Sequence, residues 1–343
     1  MKIRWKQGRG MPTFLKGGAM GIVDGVPVYA AGCTYPWRET EQAWYWDAAR
    51  RDWFPVEPCL TLGRAYTNGV TLQDGLLILG GRKSTAEGRI SLCDAWWLRR
   101  RDGKFYWTQL PAMNYPRAIP SIGVVGNKIL AFGGGEWEKS QGGAFVTRHL
   151  TNYEILDLEN LSTGWRDMGS LPFTPLVGSA FASVGQSTYV CGGYECWTEN
   201  NTRQIKQYAT AWRYDFTTDT WAQLADFPGT ASGWCAVSYK DNVILLGGGI
   251  TLELHGVKVP YRTNHILEPG TPRQRLIGTY SDLVFVYDIG ADAYRLMENQ
   301  LPIGTNDLRC TISGNTIYIA GGETVDAPLS NCIDAFMIGV IEE

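Results

Sequence analysis

Histidine is scarce in this chain: 343 residues hold three, His149, His255 and His265. Their spacing fits no metal motif, HExxH is absent, and none of the eight cysteines forms a CxxC pair, so the expectation is no metal site. Long hydrophobic runs are missing as well. No apolar stretch reaches about 18 residues, and no run of signal-peptide length follows Met1-Lys2-Ile3-Arg4-Trp5. A cytoplasmic chain without membrane contact is expected. An excess of one charge is also lacking: the net charge is -3, which leaves no basic footprint for nucleic acid. The cysteines are scattered, and Cys191 and Cys310 lie inside apolar strand patterns, so free thiols in a reducing compartment are expected.

What is abundant points one way. There are 41 glycines, and Trp and Tyr together number 31, a mixture of turn formers and β-favouring aromatics. Five apolar runs end in Gly-Gly: LLILGG at 76–81, ILAFGG at 129–134, TYVCGG at 188–193, VILLGG at 243–248 and IYIAGG at 317–322. PVYAAG at 27–32 is a degenerate sixth. Tight-turn pairs such as Asp24-Gly25, Asp74-Gly75 and Gly314-Asn315 precede them, which predicts hairpins. Each glycine pair leads into a variable polar loop, then an aromatic third strand, then a fourth strand marked by Trp53, Trp107, Trp165, Trp221 or Tyr294.

The repeat is a four-stranded antiparallel meander of roughly 50 residues, the period of kelch blades. One blade cannot bury both its faces, so the blades must pack face to face and the ring must close. The whole chain, 1–343, therefore reads as one all-β, six-bladed kelch-type propeller with a long insertion at about 250–281 in blade five. The last unit lacks a fourth strand, and Ile3-Arg4-Trp5 is an orphan piece that resembles one. Residues 2–7 are predicted to pair with a strand at 332–340, so that no free edge remains in the ring.

In a propeller one residue from each blade reaches the axial mouth. Two sets of positions qualify. After the glycine pairs come Cys33, Arg82, Gly135-Glu136, Tyr194-Glu195, Gly249 and Glu323. Ahead of the first strands come Lys16, Arg64, Arg117, Thr174, Ser232 and Arg309. A mouth of mixed charge suits a small anionic or polyhydroxy ligand. Arg64 and Arg117 could equally bridge blades to carbonyls or carboxylates. Glu136 and Glu323 could be solvated loop charges, and Glu195 with Arg203 an ordinary loop pair. Lys258, Arg262, Arg273 and Arg275 in the insertion could attract an anion or be a solvated basic loop.

The Gly-Gly blades, the Gly63-Arg64-Ala65-Tyr66 segment, the blade-five insertion and the ending Gly321-Gly322-Glu323-Thr324 resemble the bacterial kelch-type N-acetylneuraminate epimerases, the sialic acid mutarotases. The resemblance implies an isomerase that opens the ring of an acidic sugar by acid/base chemistry, without a cofactor. By position in the blade it assigns the catalytic pair to Glu195 and Arg203. Arg64, Arg82, Arg117, Glu136, Tyr194, Arg309 and Glu323 are then candidates for substrate binding. A carboxyl group in a partly desolvated mouth suits the chemistry, because burial raises its pKa toward neutrality, and an arginine can hold a sugar carboxylate bidentately.

Three other readings compete. A non-catalytic module would bind a protein partner or a carbohydrate at its loop face, with Trp37, Trp137 and Trp197 as contacts. A polysaccharide lyase would draw on Tyr194 and His149 or His255. A copper oxidase would need clustered histidines, which this chain lacks.

Overall fold

The computed structural model describes residues 1–343 except 35–37, 137–147, 200–201, 255–256, 261–279, 325–331 and 343. Six four-stranded antiparallel sheets make a closed ring of blades. From the axis outward, blade one is Ala19–Val23, Val26–Ala30, Ala43–Asp47 and Asp52–Pro55. Blade two is Asn68–Leu72, Gly75–Leu79, Ala95–Arg101 and Lys104–Leu110. Blade three is Ser121–Val125, Lys128–Phe132, Asn152–Asp157 and Arg166–Ser170. Blade four is Ala180–Val184, Ser187–Cys191, Ala211–Asp215 and Thr220–Leu224. Blade five is Cys235–Tyr239, Asn242–Leu246, Val284–Asp288 and Ala293–Leu296. Blade six is Arg309–Ser313, Thr316–Ala320, Phe336–Glu342 and, outermost, Lys2–Gln7.

The second strands show why the ring must close. Gly75–Leu79 and Ser187–Cys191 are buried along their whole length, so both faces need a neighbouring sheet. Large aromatics fill the widening gaps and also tie successive blades together. Indole N–H groups of Trp53, Trp107 and Trp165 donate to the carbonyls of Arg9, Pro58 and Pro111, each in the connection leading into the tryptophan's own blade.

Closure by the N-terminal strand follows the expected pairing, with the partner strand beginning at Phe336 rather than 332. Lys2 faces Glu342, Trp5 faces Gly339, and Gln7 faces Met337. Ile3 is fully buried in the core between blades five and six. The Trp5 ring lies flat on Gly339, where an added Cβ would sit 2.4 Å from it.

The segments after the glycine pairs are not simple loops. Arg82–Thr85 pairs with Gly88–Ser91, Gly135–Glu136 with Arg148–His149, and Tyr194–Glu199 with Thr202–Gln207. Blade five adds the three-stranded set Gly229–Ser232, Gly249–Leu254 and Val257–Pro260. These ribbons form a raised rim at the end of the axis where the chain enters each inner strand.

Candidate functional site at the axial mouth

Six residues form a collar at this end of the axis. Gly17, Tyr66, Ile119, Gly178, Gly233 and Asp307 each lie two residues before the start of an inner strand, and each has φ between +52° and +67°. The collar is stitched by backbone bonds between blades: Ile119 N–H to the Tyr66 carbonyl (2.6 Å), Gly233 to Gly178 (2.8 Å) and Asp307 to Gly233 (2.8 Å). Left-handed backbone is routine for glycine and costly for tyrosine or isoleucine, so the three side chains kept here are held by their surroundings. Gly233 has no alternative: a Cβ there would lie 1.9 Å from Asn306 Oδ1. Below the collar is an axial cavity of about 230 Å³. Ile119 and Asp307 stand at its upper end, and Thr71, Ser183, Ser238 and Thr311 are among the hydroxyls farther down.

Blades six, one and two bring the charge. Lys16 pairs with Glu323 through Nζ and Oε2, and both side chains are almost wholly buried. Oε1 of Glu323 accepts from Asn306 Nδ2 (2.9 Å) and from the Tyr280 hydroxyl (3.3 Å). Lys16 Nζ and the Arg82 guanidinium both lie over the Tyr66 ring, at 5.9 Å and 4.8 Å from its centroid. Arg82 also approaches Glu39 at 3.5 Å.

Burial and the neighbouring Glu323 carboxylate push the Asp307 carboxyl above its ordinary range, with Arg309 and Lys16 opposing. Burial alone would lower the Lys16 ammonium, but the neighbouring Glu323 and Asp307 carboxyl groups hold it above its usual value. Burial raises the Tyr66 and Tyr280 phenols, so both are neutral donors at neutral pH. One wall of the mouth thus combines a salt bridge, a protonatable carboxyl and two phenols.

The opposite wall is apolar. Ala118, Ile119, Val177 and Cys196 pack together with the rings of Tyr66 and Tyr194, and the Tyr194 ring covers Gly178 at van der Waals distance. Above it, His149 joins two rim ribbons: its Nε2 accepts the Cys196 N–H at 3.0 Å. Burial lowers the His149 pKa, which suits the neutral acceptor form.

The candidates named from the sequence divide into groups. Arg82 and Glu323 stand in the charged wall, and Tyr194 in the apolar one. Arg309, the first residue of its inner strand, gives its donors to the carbonyls of Gly18 (2.6 Å), Thr67 (3.1 Å), Leu308 (2.9 Å) and Asp307 (3.3 Å). Arg64 is fully buried against both Asp94 carboxylate oxygens (2.7 Å each) and the Gly80 carbonyl (3.1 Å). Arg117 is equally buried on Glu154 (3.1 Å) and the Gly133 carbonyl (2.8 Å). These three guanidinium groups are turned into the frame, where backbone carbonyls next to a positive-φ glycine need donors.

Glu136 stands on the rim beside Arg148 at 3.6 Å. Glu195 sits half-buried in the blade-four ribbon, accepts a bond from the Tyr208 hydroxyl and faces Lys206 across the ribbon. Arg203 faces Thr198, three pairs farther out, and its side chain lies outside the described residues. So do Trp37, Trp137, His255, His265, Arg262, Arg273, Arg275 and the Lys258 side chain. Trp197 is 42% exposed on the rim.

Among the described residues no group of three or more His, Cys, Asp or Glu is placed to hold a metal ion, and no helix is long and apolar enough to cross a membrane. The residues that sequence reasoning missed are Asp307, Asn306, Tyr66 and Tyr280, and Lys16 as a partner of Glu323. A polar pair leading into the last inner strand, Asn306-Asp307, with Asp307 where blades one, four and five carry Gly, was the available signal.

No family model matches the chain. Kelch-like protein terF of Aspergillus terreus is 26% identical over 261 residues, 72% of this chain and 52% of that protein, so the chain spans about half the length of the curated relative it matches. The solved structure of YjhT superposes with a TM-score of 0.67 at 16% identity, covering 96% of this chain and 95% of that one. Together with six four-stranded blades, these likenesses make the chain a six-bladed kelch-type β-propeller.

Proposed function

We propose that this kelch-type propeller binds a small acidic sugar at its axial mouth and catalyses opening and reclosure of the sugar ring. The single observation that carries the reading is the Lys16–Glu323 pair beside the Asp307 carboxyl, on a collar above a cavity. The cations Lys16 and Arg82 over Tyr66 are suited to a carboxylate, and the apolar wall of Ile119, Val177 and Tyr194 to the sugar's carbon face.

In this reading Asp307 is the acid and Glu323, paired with Lys16, the base. The base takes the proton of the anomeric hydroxyl as the acid protonates the ring oxygen. The bond from the anomeric carbon to the ring oxygen breaks and a carbonyl forms. Rotation of the carbonyl and reclosure, with the protons returned, invert the anomeric centre. No redox partner or cofactor enters the balance. Glu195, with Tyr208, would orient the sugar from the rim.

The test is anomeric exchange of N-acetylneuraminate followed by proton NMR, with binding measured in parallel by calorimetry. Wild type should exceed the buffer rate. Asp307→Asn should lose about 10²–10⁴-fold, the usual worth of one general acid or base, while still binding the sugar. Wild-type exchange at the buffer rate would end the isomerase reading. The exposed Trp197 and Ile205 on the blade-four ribbon favour a second one, a non-catalytic module that docks a protein partner there. That reading expects binding without exchange.

A further inference from the structure

Away from the mouth, two thiols meet inside the axial cavity. Cys235 opens the inner strand of blade five, and Cys310 is the second residue of the inner strand of blade six. Both line the cavity of about 230 Å³, and both pack on the same apolar cluster between those blades, with Val237, Leu246 and Ile319. The Cys310 thiol approaches the carbonyl oxygen of Ala236, the neighbour of Cys235, at 3.2 Å. A pair drawn from strands 75 residues apart therefore sits at one spot, facing open space rather than solid core.

We propose that Cys235 and Cys310 are a redox-modification site, which a small hydroperoxide oxidises to a disulfide joining blades five and six. One thiol attacks the peroxide, becomes a sulfenic acid and releases water or the corresponding alcohol. The second thiol attacks that sulfur, the S–S bond forms, and a second water leaves. Two thiols have then lost two hydrogens, and the peroxide has taken up two electrons.

Two features set the selectivity. Burial and the neighbouring Cys310 thiol hold the Cys235 thiol well above its ordinary pKa, against the pull of Arg309, so that thiol rests protonated and oxidises slowly. The cavity admits a peroxide, not much larger than the roughly 30 Å³ of a water molecule, and excludes a tripeptide disulfide. Asp307 precedes Cys310 by three residues on the same segment, so closing the bond pulls on the chain that carries the mouth's carboxyl.

The experiment exposes folded protein to graded hydrogen peroxide, alkylates it in denaturant and maps all eight cysteines by peptide mass spectrometry. The expected product is a Cys235–Cys310 peptide pair two hydrogens lighter than its parts, reversed by dithiothreitol. Oxidised glutathione should not produce it. Cys310→Ser should abolish the link and leave Cys235 alkylatable, and Cys235→Ser serves as the second variant should the first fail to fold. The proposal is overturned if no Cys235–Cys310 peptide pair forms at any peroxide dose that leaves the protein folded, if the link needs prior denaturation, or if glutathione disulfide forms it equally fast.

Discussion

Replacing Lys16 by methionine isolates the electrostatics of the mouth. Lys16 and Glu323 expose only 7% and 11% of their side chains, so neither is screened by bulk water. Methionine keeps the aliphatic stem and removes the charge, which leaves the Glu323 carboxylate beside Asp307 without its cation. Removing one partner of a buried pair costs about 3–5 kcal/mol. Melting shifts by about 2–4 °C per kcal/mol in domains of 150–250 residues and by less in longer chains. The expected fall for these 343 residues is therefore about 5–10 °C at pH 7. The sign of the pH dependence follows. With the ammonium gone, the Asp307 carboxyl loses a cation that opposes its raised folded pKa, so the folded state takes up a proton more readily and regains stability as pH falls. The deficit should shrink between pH 7 and pH 5. Adding Glu323→Gln to the methionine variant should recover part of it, measured by urea denaturation as a double-mutant cycle. A deficit equal at both pH values, or a double variant whose loss is the sum of the singles, would refute the account.

Other outcomes are expected elsewhere in the molecule. Neutral His149 accepts the Cys196 N–H, and its folded pKa is depressed, so its contribution is complete above the ordinary histidine value of about 6.5 and is lost as pH falls through the lower folded value. Hydrogen exchange at Cys196, corrected for intrinsic rate, should speed up below pH 6, and should lose this response in His149→Phe. Arg64→Leu removes the ion pair of Asp94, leaving it the Trp96 indole N–H, and takes the guanidinium from the Gly80 carbonyl; urea denaturation should show a loss of about 3 kcal/mol, while sugar affinity of the folded fraction stays within threefold. Ile3→Ala removes a fully buried side chain from the closing strand, with an expected loss of about 2–5 kcal/mol on the same assay.

The blades were legible in the sequence because their signals are local. A turn pair, an alternating or wholly apolar run and a Gly-Gly stop identify a hairpin without reference to the rest of the chain. The closing strand was legible for a subtler reason: Ile3-Arg4-Trp5 has no partner nearby, and the last unit lacks one. The rim ribbons were not legible. Arg82–Thr85 and Gly88–Ser91 carry no apolar face, and their pairing depends on the barrel-like frame below them.

The charged wall was legible only in fragments. Arg82 and Glu323 could be named from position after the glycine pairs, but Lys16, Tyr66 and Asp307 become their neighbours only when blades six, one and two meet across the closure. Arg64 and Arg117 show the opposite difficulty. Their equivalent positions were visible, yet the carboxylates that turn them into the frame, Asp94 and Glu154, come a strand pair later in the chain. A guanidinium's direction is set by the partner it finds, and the sequence does not order partners by distance.

The outermost strand of blade six also dictates a schedule. Because Lys2–Gln7 pairs with Phe336–Glu342, which follows every strand of the other blades in the sequence, blades one to five can stack in turn on the ribosome before the sixth sheet is complete. Non-local pairing of this kind is intrinsically slow, so Lys2–Gln7 must stay unpaired until blade six is made, which its charged Lys2, Arg4 and Lys6 favour.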